Sequence, residues 1–216
     1  MVRGLFSKES DMSRNRGARL KIIRRFQQHL PGLTRKSAER RPYPPGVHGA
    51  GRRTKRSEYR VRLEEKQKLR INYGVNERQM RTYFKKAVAS VGDTGQRLFE
   101  LMESRLDNVV FRAGFAPTIP AARQLVGHGH ITVNGKRVDI PSFQCHSGHV
   151  ISVKEKSRNI PVVEESMASP VLENPSYLTR KEDSAFDVEF TDAPSRDDVP
   201  FDIQENLIIE FYSQIV

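Results

Sequence analysis

Apolar positions recur at helical spacing from Ser57 onward. Ser57 can cap, neither Gly nor Pro interrupts before Gly74, and Leu63, Glu64, Glu65, Lys66, Gln67 and Leu69 are good helix formers, so a long first helix is predicted there. Asn76 with Gln79 three positions on has the form of a capping box. Met80, Tyr83, Phe84, Ala87, Val88 and Val91 then predict a second amphipathic helix ending at Gly92. A third runs from about Gln96 with Leu98, Leu101 and Met102 inward, and Ser104 marks a boundary. Leu106, Val109, Val110 and Ala113 fall at i, i+3, i+4 and i+7, which puts Arg105, Asn108 and Arg112 on another flank, pointing away from the core. Gly114 ends that helix. Thr118 can cap the next, with Pro120 in its first turn, Ala122, Leu125 and Val126 facing in, and Arg123 and Gln124 left outside.

The pattern then changes to strands. Ile131–Val133 and Lys136–Val138 flank Asn134-Gly135, a strong hairpin signal because both turn positions need positive φ, and His149–Val153 reads as a further strand. Residues 155–199 are acidic, contain Pro and Ser, and are weakly periodic, so loops and short strands are expected. Leu207, Ile208, Phe211 and Tyr212 form a stripe fitting a short helix or a strand, and either must dock on a core. Residues 1–56 hold too few apolar side chains for a core of their own and read as an extended arm.

Charge sharpens this outline. The 216 residues carry a formal net charge of +11, which favours a polyanionic partner, nucleic acid before an anionic membrane. Its distribution is polarised: residues 1–60 hold 17 basic and 4 acidic side chains, residues 61–154 hold 15 and 8, and residues 155–216 hold 5 and 14. The first three quarters therefore suit phosphates, while the acidic stretch suits solvent or a basic protein neighbour. One cysteine, Cys145, excludes an internal disulfide framework, and no apolar run approaches the roughly 20 residues of a membrane helix. The first 26 residues are Arg-rich like an organelle transit peptide, although Glu9 and Asp11 run against that reading.

The residues from Arg105 to Val153 place guanidinium and imidazole donors on two short helices feeding a hairpin, a pattern that fits a phosphate backbone better than a small substrate. Candidate RNA-binding side chains there are Arg105, Asn108, Arg112, Arg123, Gln124, His128, His130, Asn134, Lys136 and Arg137. On the arm they are Arg14, Arg16, Arg19, Arg24, Arg25, Arg35, Lys36, Arg52, Arg53, Lys55 and Arg56, with Tyr43 and His48 in Pro-Gly turns suited to wedging between RNA helices. Arg78, Arg81, Lys85 and Lys86 fit phosphate contact and a solvated helix face equally well. A carboxylate facing phosphate would repel it, so Asp107 is expected to orient a neighbouring arginine. Cys145, His146 and His149 resemble zinc ligands but show no fourth partner, and the Ser147-Gly148 turn accounts for their spacing. No catalytic residue, metal or cofactor is read from the chain. It shows no nucleotide-binding glycine loop, no paired metal carboxylates and no nucleophile elbow.

These segments resemble the bacterial-type family of small-subunit ribosomal protein number four. The resemblance rests on SRNRGARL, LPGLTRK, RRPYPPGVHG, RLEEKQKLRINYGVNERQM, SRLDNVVFRAGFAPTIPAARQLV, HITVNGKRVDIP and NLIIEFYS, in family order, and only residues 1–11 and roughly 163–200 lie outside it. It implies an α+β chain: a helical domain over 57–104, an inserted RNA-binding module of short helices and β-hairpins over 105–153, and a helix over 203–216 returning to the first domain; the acidic segment over 154–202 is marked off by its composition. It further implies a non-enzymatic constituent of the small subunit that binds a multi-helix junction of ribosomal RNA early in assembly. The implied position is beside the path by which messenger RNA enters, near ribosomal protein number five. Many relatives carry four N-terminal cysteines that bind zinc; none stands in that region here, so no metal is implied. The wording of PTIPAARQLV and LPGLTRK resembles the cyanobacterial and plastid branch, which sets plastid stroma slightly ahead of bacterial cytoplasm. The same module occurs in some pseudouridine synthases, in a tRNA synthetase and in ribosome-associated rescue factors, so an RNA-modifying enzyme and a rescue factor are the competing classes.

Overall fold

Four of the eight α-helix starts among the described residues are fixed by side-chain caps. The computed structural model describes residues 17–51 and 57–214. Helix α1 spans Arg19–Phe26, α2 Glu58–Asn72, α3 Glu77–Ala89, α4 Thr94–Glu103, α5 Leu106–Arg112 and α6 Ile119–Gly127. Ser57 Oγ accepts the Arg60 amide at 3.3 Å, and Asn76 and Gln79 form the expected reciprocal box at 2.7 and 3.1 Å. Asp93 accepts the Gln96 amide at 2.9 Å, which starts α4 two residues before the expected Gln96, and Thr118 caps α6 ahead of Pro120. Each such cap contributes about 1 kcal/mol by satisfying an amide the helix itself cannot.

Part of the arm is folded rather than extended. Ile23, Phe26, Leu30 and Leu33 are buried, and all but Ile23 join the common core. They are too few to make a core alone but enough to dock on one already present. Gly32 stitches the segment in place: its amide donates to Asn72 Oδ1 at 3.0 Å and its carbonyl accepts the Ile119 amide at 2.9 Å. A Cβ at Gly32 would stand 2.7 Å from both the Asn72 carbonyl oxygen and Ile119 Cδ1, so only glycine fits between α2 and α6. Residues 35–51 follow as turns and bends.

Strands β1 (Ile131–Val133), β2 (Lys136–Arg137), β3 (His149–Val153), β4 (Leu178–Arg180) and β5 (Asp187–Phe190) form one antiparallel sheet in the order β2-β1-β3-β5-β4. Asn134 and Gly135 turn β1 into β2 with φ of 49° and 75°, as the hairpin signal requires. The acidic segment supplies β4 and β5, and β5 pairs directly with β3, so the sheet runs across the expected module boundary near residue 153. That segment also forms a short 3-10 turn at Glu155–Ser157 and a helix, α7 (Pro161–Ala168), which the pattern did not announce: only Val163 and Ser166 of α7 are buried.

The last helix, α8 (Glu205–Ser213), lies along α2. Tyr212 stacks on Phe84 at 4.8 Å and donates to Glu77 Oε1 at 3.0 Å, while Arg62 Nε meets Glu210 Oε2 at 2.7 Å. One apolar core runs from Phe26 to Tyr212 through every layer. Val88 and Val91 depart from the expected stripe: α3 ends at Ala89, and both stand in solvent at 56% and 103% exposure. No helix among the described residues is long and apolar enough to cross a membrane.

Candidate nucleic-acid interface

Helix α5 has no solvent face. All seven of its residues are buried, and with them Arg105 at its N-cap. The apolar side faces the core as expected, but the flank carrying Arg105, Asn108 and Arg112 meets other protein instead of water. Arg105 forks onto Asp107, Nε to Oδ1 at 3.0 Å and Nη2 to Oδ2 at 2.7 Å, and its Nη1 donates to the Tyr83 hydroxyl at 2.6 Å. Arg123 Nε reaches the same Asp107 Oδ2 at 2.6 Å, while its terminal nitrogens donate to the carbonyls of Tyr73 (2.8 Å) and Gly74 at the end of α2. The expected role of Asp107 as the orienter of an arginine is what the geometry shows, for two arginines rather than one.

A second carboxylate completes the layer. Glu103 accepts from the Tyr73 hydroxyl, from Asn108 Nδ2 at 2.6 Å and from the Tyr177 hydroxyl at 2.6 Å, with Arg112 Nε 3.7 Å away. Arg112 Nη2 also donates to the Asp198 carbonyl at 2.6 Å. Burial pushes the Tyr73 and Tyr177 hydroxyls well above the ordinary tyrosine range, and the Glu103 charge adds to it, so both remain donors. Burial alone would lower the Arg105 pKa, but the Asp107 charge and hydrogen bonds outweigh it and the net direction is upward. Arg105, Asn108 and Arg112 are therefore corrected from outward-facing RNA ligands to members of a buried joint between α2, α4, α5 and the segment around Asp198. The physical reason is that buried charge is stable only when paired, and here each cation meets a buried acid, Arg105 with Asp107 and Arg112 with Glu103. Arg123 is a partial case: 30% of its side chain is exposed, but its nitrogens are committed to the joint.

The remaining candidates of the module stay on the outside. Gln124, His128, Asn134, Lys136 and Arg137 are exposed, and His130 is half-buried. Arg137 lies against Gly129, whose φ of +74° and lack of a side chain leave room for the guanidinium. The His128 and His130 rings stand 6.0 Å apart. Burial, then the charges of His128, Lys154 and Arg137, hold the His130 imidazole below its ordinary range, and its Nδ1 meets Ser157 Oγ at 2.9 Å. The base of the hairpin is thus a cluster of cationic and imidazole groups to which Lys154, unremarked in the sequence, also belongs. On the arm, Arg19, Arg25, Arg35 and Lys36 are exposed. Arg24 is half-buried and holds Tyr43, donating to its carbonyl at 3.0 Å with the guanidinium 5.0 Å over the ring; Arg35 reaches the Ser169 carbonyl at 3.0 Å. Arg14, Arg16, Arg52, Arg53, Lys55 and Arg56 lie outside the described residues. Arg78, Arg81, Lys85 and Lys86 line the exposed side of α3.

The Cys145 cluster is built for packing. Burial, with the Asp107 charge, pushes the thiol up to about 12, and His149 stacks on Phe143 at 5.8 Å while its Nδ1 accepts the His146 amide at 3.2 Å. No cluster of three or more His, Cys, Asp or Glu among the described residues could hold a metal ion.

Two family profiles match the chain in succession: one described as the ribosomal protein S4/S9 N-terminal domain over residues 14–103, and one described as the S4 domain over residues 104–151. The chain is 55% identical over 204 residues to the "Small ribosomal subunit protein uS4" of Synechocystis sp., covering 94% of this chain and 99% of that one. Proteins of the same name from Trichodesmium erythraeum and Nostoc punctiforme are 56% and 52% identical, with the same coverage of 94% and 99%.

Proposed function

Because the chain belongs to the ribosomal protein S4 family, we propose that it acts as a shape-selective RNA clamp: a rigid frame that presents single-sign cation clusters to one folded junction of the small-subunit ribosomal RNA. The chain is a structural constituent of the small ribosomal subunit, and its S4 domain is an RNA-binding module. The observation that carries the clamp reading is the split between two sets of basic residues. Arg105, Arg112 and Arg123 are consumed in fixing α5 and α6 against the helical part, whereas Lys136, Arg137, His128, Arg19, Arg25 and Lys36 are left outward. The outer set supplies affinity through release of counterions, and the inner set keeps the outer set in one geometry, so that a junction of matching contour is favoured over a plain duplex.

The reading extends to early binding in subunit assembly, to contacts with ribosomal protein number five and other subunit proteins through the acidic surface of residues 155–202, and to a position near incoming messenger RNA. It includes no catalysis. Cyanobacterial relatives support a ribosome of cyanobacterial or plastid lineage, and fractionation of organelles separates these two settings. The test is binding of the full chain to small-subunit RNA and to an unrelated duplex across a salt series. Tight, salt-dependent binding with a clear preference for the ribosomal RNA is expected. Equal affinity for both at one salt concentration overturns shape selection, and turnover of uridine by the purified chain overturns the non-enzymatic reading.

A further inference from the structure

A cleft of about 600 Å³ opens between α1 and the turn of residues 37–41, lined chiefly by Leu20, Lys21, Arg24, Ala38, Arg40 and Arg41. Its size is that of a small-ligand site, roughly 300–1,000 Å³. Four of those six side chains are cationic and none is acidic. Glu39, between them in sequence, accepts from the hydroxyl of Ser37, also a lining residue, at 2.8 Å, so one acid stands at the edge of a cleft with four cations. Four cations against one acid leave an excess of positive charge, and an anion relieves the repulsion among them. Two features point to more than a bare phosphate. Leu20 is 38% exposed beside the cations, which with Ala38 gives the cleft an apolar wall. Arg24 is held in advance: its Nε is committed to the Tyr43 carbonyl and its plane rests over the Tyr43 ring, while Nη1 and Nη2 have no partner among the described residues. An apolar wall with a fixed guanidinium fork suits a ligand with a flat apolar face and a phosphate attached.

We propose that this cleft receives one unpaired nucleotide of the ribosomal RNA, its base or ribose against Leu20 and Ala38 and its flanking phosphates on Lys21, Arg24, Arg40 and Arg41. This rests on the RNA-clamp reading and deepens it, since it names a single-nucleotide contact at a place where only Arg24 stood out in the sequence. A base paired within a duplex cannot enter a cleft of this size, so the occupant is splayed from a loop, bulge or junction.

The test places a photoreactive p-benzoylphenylalanine at the exposed rim, Ser37→p-benzoylphenylalanine, in the full chain bound to intact small-subunit RNA, with crosslinks mapped by reverse transcription. One dominant crosslink at an unpaired nucleotide is expected. In an Arg40→Ala/Arg41→Ala background its yield should fall about tenfold, and the salt slope of binding should shrink by roughly 0.7 for each single-strand phosphate no longer neutralised. Ala38→Phe, which fills the floor and leaves the charge alone, should remove the crosslink with the slope unchanged, and its melting temperature shows that it is folded. Normal RNA binding with crosslinks scattered over paired helices, or onto a protein in the assembled subunit, overturns the nucleotide site and leaves the clamp standing. Failure of the unaltered chain to bind the RNA at all overturns the clamp itself.

Discussion

Replacing Asp107 separates a structural joint from an RNA contact. The carboxylate is 1% exposed and accepts four hydrogen bonds: two from Arg105 at 3.0 and 2.7 Å, one from Arg123 at 2.6 Å and one from the Asn108 amide at 2.9 Å. In Asp107→Asn the shape is kept but the charge is lost, and the amide nitrogen confronts at least one arginine donor. Arg105, itself 2% exposed, is left with no anion, keeping the Tyr83 hydroxyl and a share of the one remaining side-chain oxygen, for which Arg123 or the Asn108 amide also competes. Removing one partner of a buried pair costs about 3–5 kcal/mol, against a total stability of roughly 5–15 kcal/mol for a domain. For a chain of this length each kcal/mol moves the melting temperature by about 2–4 °C, so the transition should fall by roughly 6–20 °C.

The assay is thermal and urea unfolding of Asp107→Asn beside the apolar double replacement Arg105→Met/Asp107→Leu. The double variant still leaves Arg123 without its anion, but that side chain is partly solvated and keeps the Tyr73 and Gly74 carbonyls. It should therefore recover a measurable part of what the single variant loses. Affinity for ribosomal RNA, measured well below the transition, should keep its salt slope in both. A loss under about 1 kcal/mol in Asp107→Asn, or a salt slope that drops in Arg105→Met while the melting temperature holds, would refute the joint and return Arg105 to the RNA surface.

Three further outcomes follow from the same geometry. Gly32→Ala puts a methyl 2.7 Å from the Asn72 carbonyl and Ile119 Cδ1 and should cost about 1–3 kcal/mol, read as a lower urea midpoint; a change below about 0.5 kcal/mol would mean that the arm is not clamped there. Lys136→Ala/Arg137→Ala removes two exposed cations, so stability should stay within about 0.5 kcal/mol while the RNA salt slope falls by roughly 0.9 for each duplex phosphate left without its cation. An unaltered slope would show the hairpin tip idle. Burial, aided by neighbouring cations at His130 and by His146 at His149, holds both imidazoles below the ordinary value of 6.5. Between roughly pH 5 and 7 the unfolded chain therefore binds more protons than the folded one, and stability should decline as pH falls through 6.5. Glu77 and Asp198, both held below the ordinary carboxylate range against the opposing effect of burial, lose their contributions only at lower pH. His130→Gln and His149→Asn should flatten the decline in urea midpoints; a midpoint that rises on acidification would reverse the sign.

Local signals were legible in the chain because their physics is local. Ser57, the Asn76–Gln79 box, Thr118 with Pro120, and Asn134-Gly135 each act within four residues and stand where the pattern put them. Helix α7 left no such trace, since two buried positions make no period. The short strands expected over residues 155–199 are there as β4 and β5, but D-V-E-F, whose alternation buries Val188 and Phe190, gave no local sign that it would join the module's sheet. The orientation of Arg105 and Arg112 failed for a different reason. A helical period says on which side the apolar residues lie, and says nothing of what meets the opposite side.

Part of this information lies in the sign of the neighbouring charges. Glu103, Arg105, Asp107 and Arg112 alternate in sign within ten residues, and all four are buried, because each charge brings its own counter-ion into the interior. Lys136-Arg137, Lys85-Lys86 and Arg40-Arg41 are adjacent cations and all six residues are exposed; Arg137 lies 3.7 Å from Asp139, in a pair that stays in solvent. Company alone does not decide burial: Arg105 and Asp107 have the same spacing as Arg137 and Asp139, and only the first pair is enclosed by packed helices. The buried run spends its charge inside, on holding the helices together, and the exposed cations are left facing outward. A count of arginines over residues 105–153 merges the two sets, and what separates them is whether other helices pack over the pair, a long-range fact that no local pattern states.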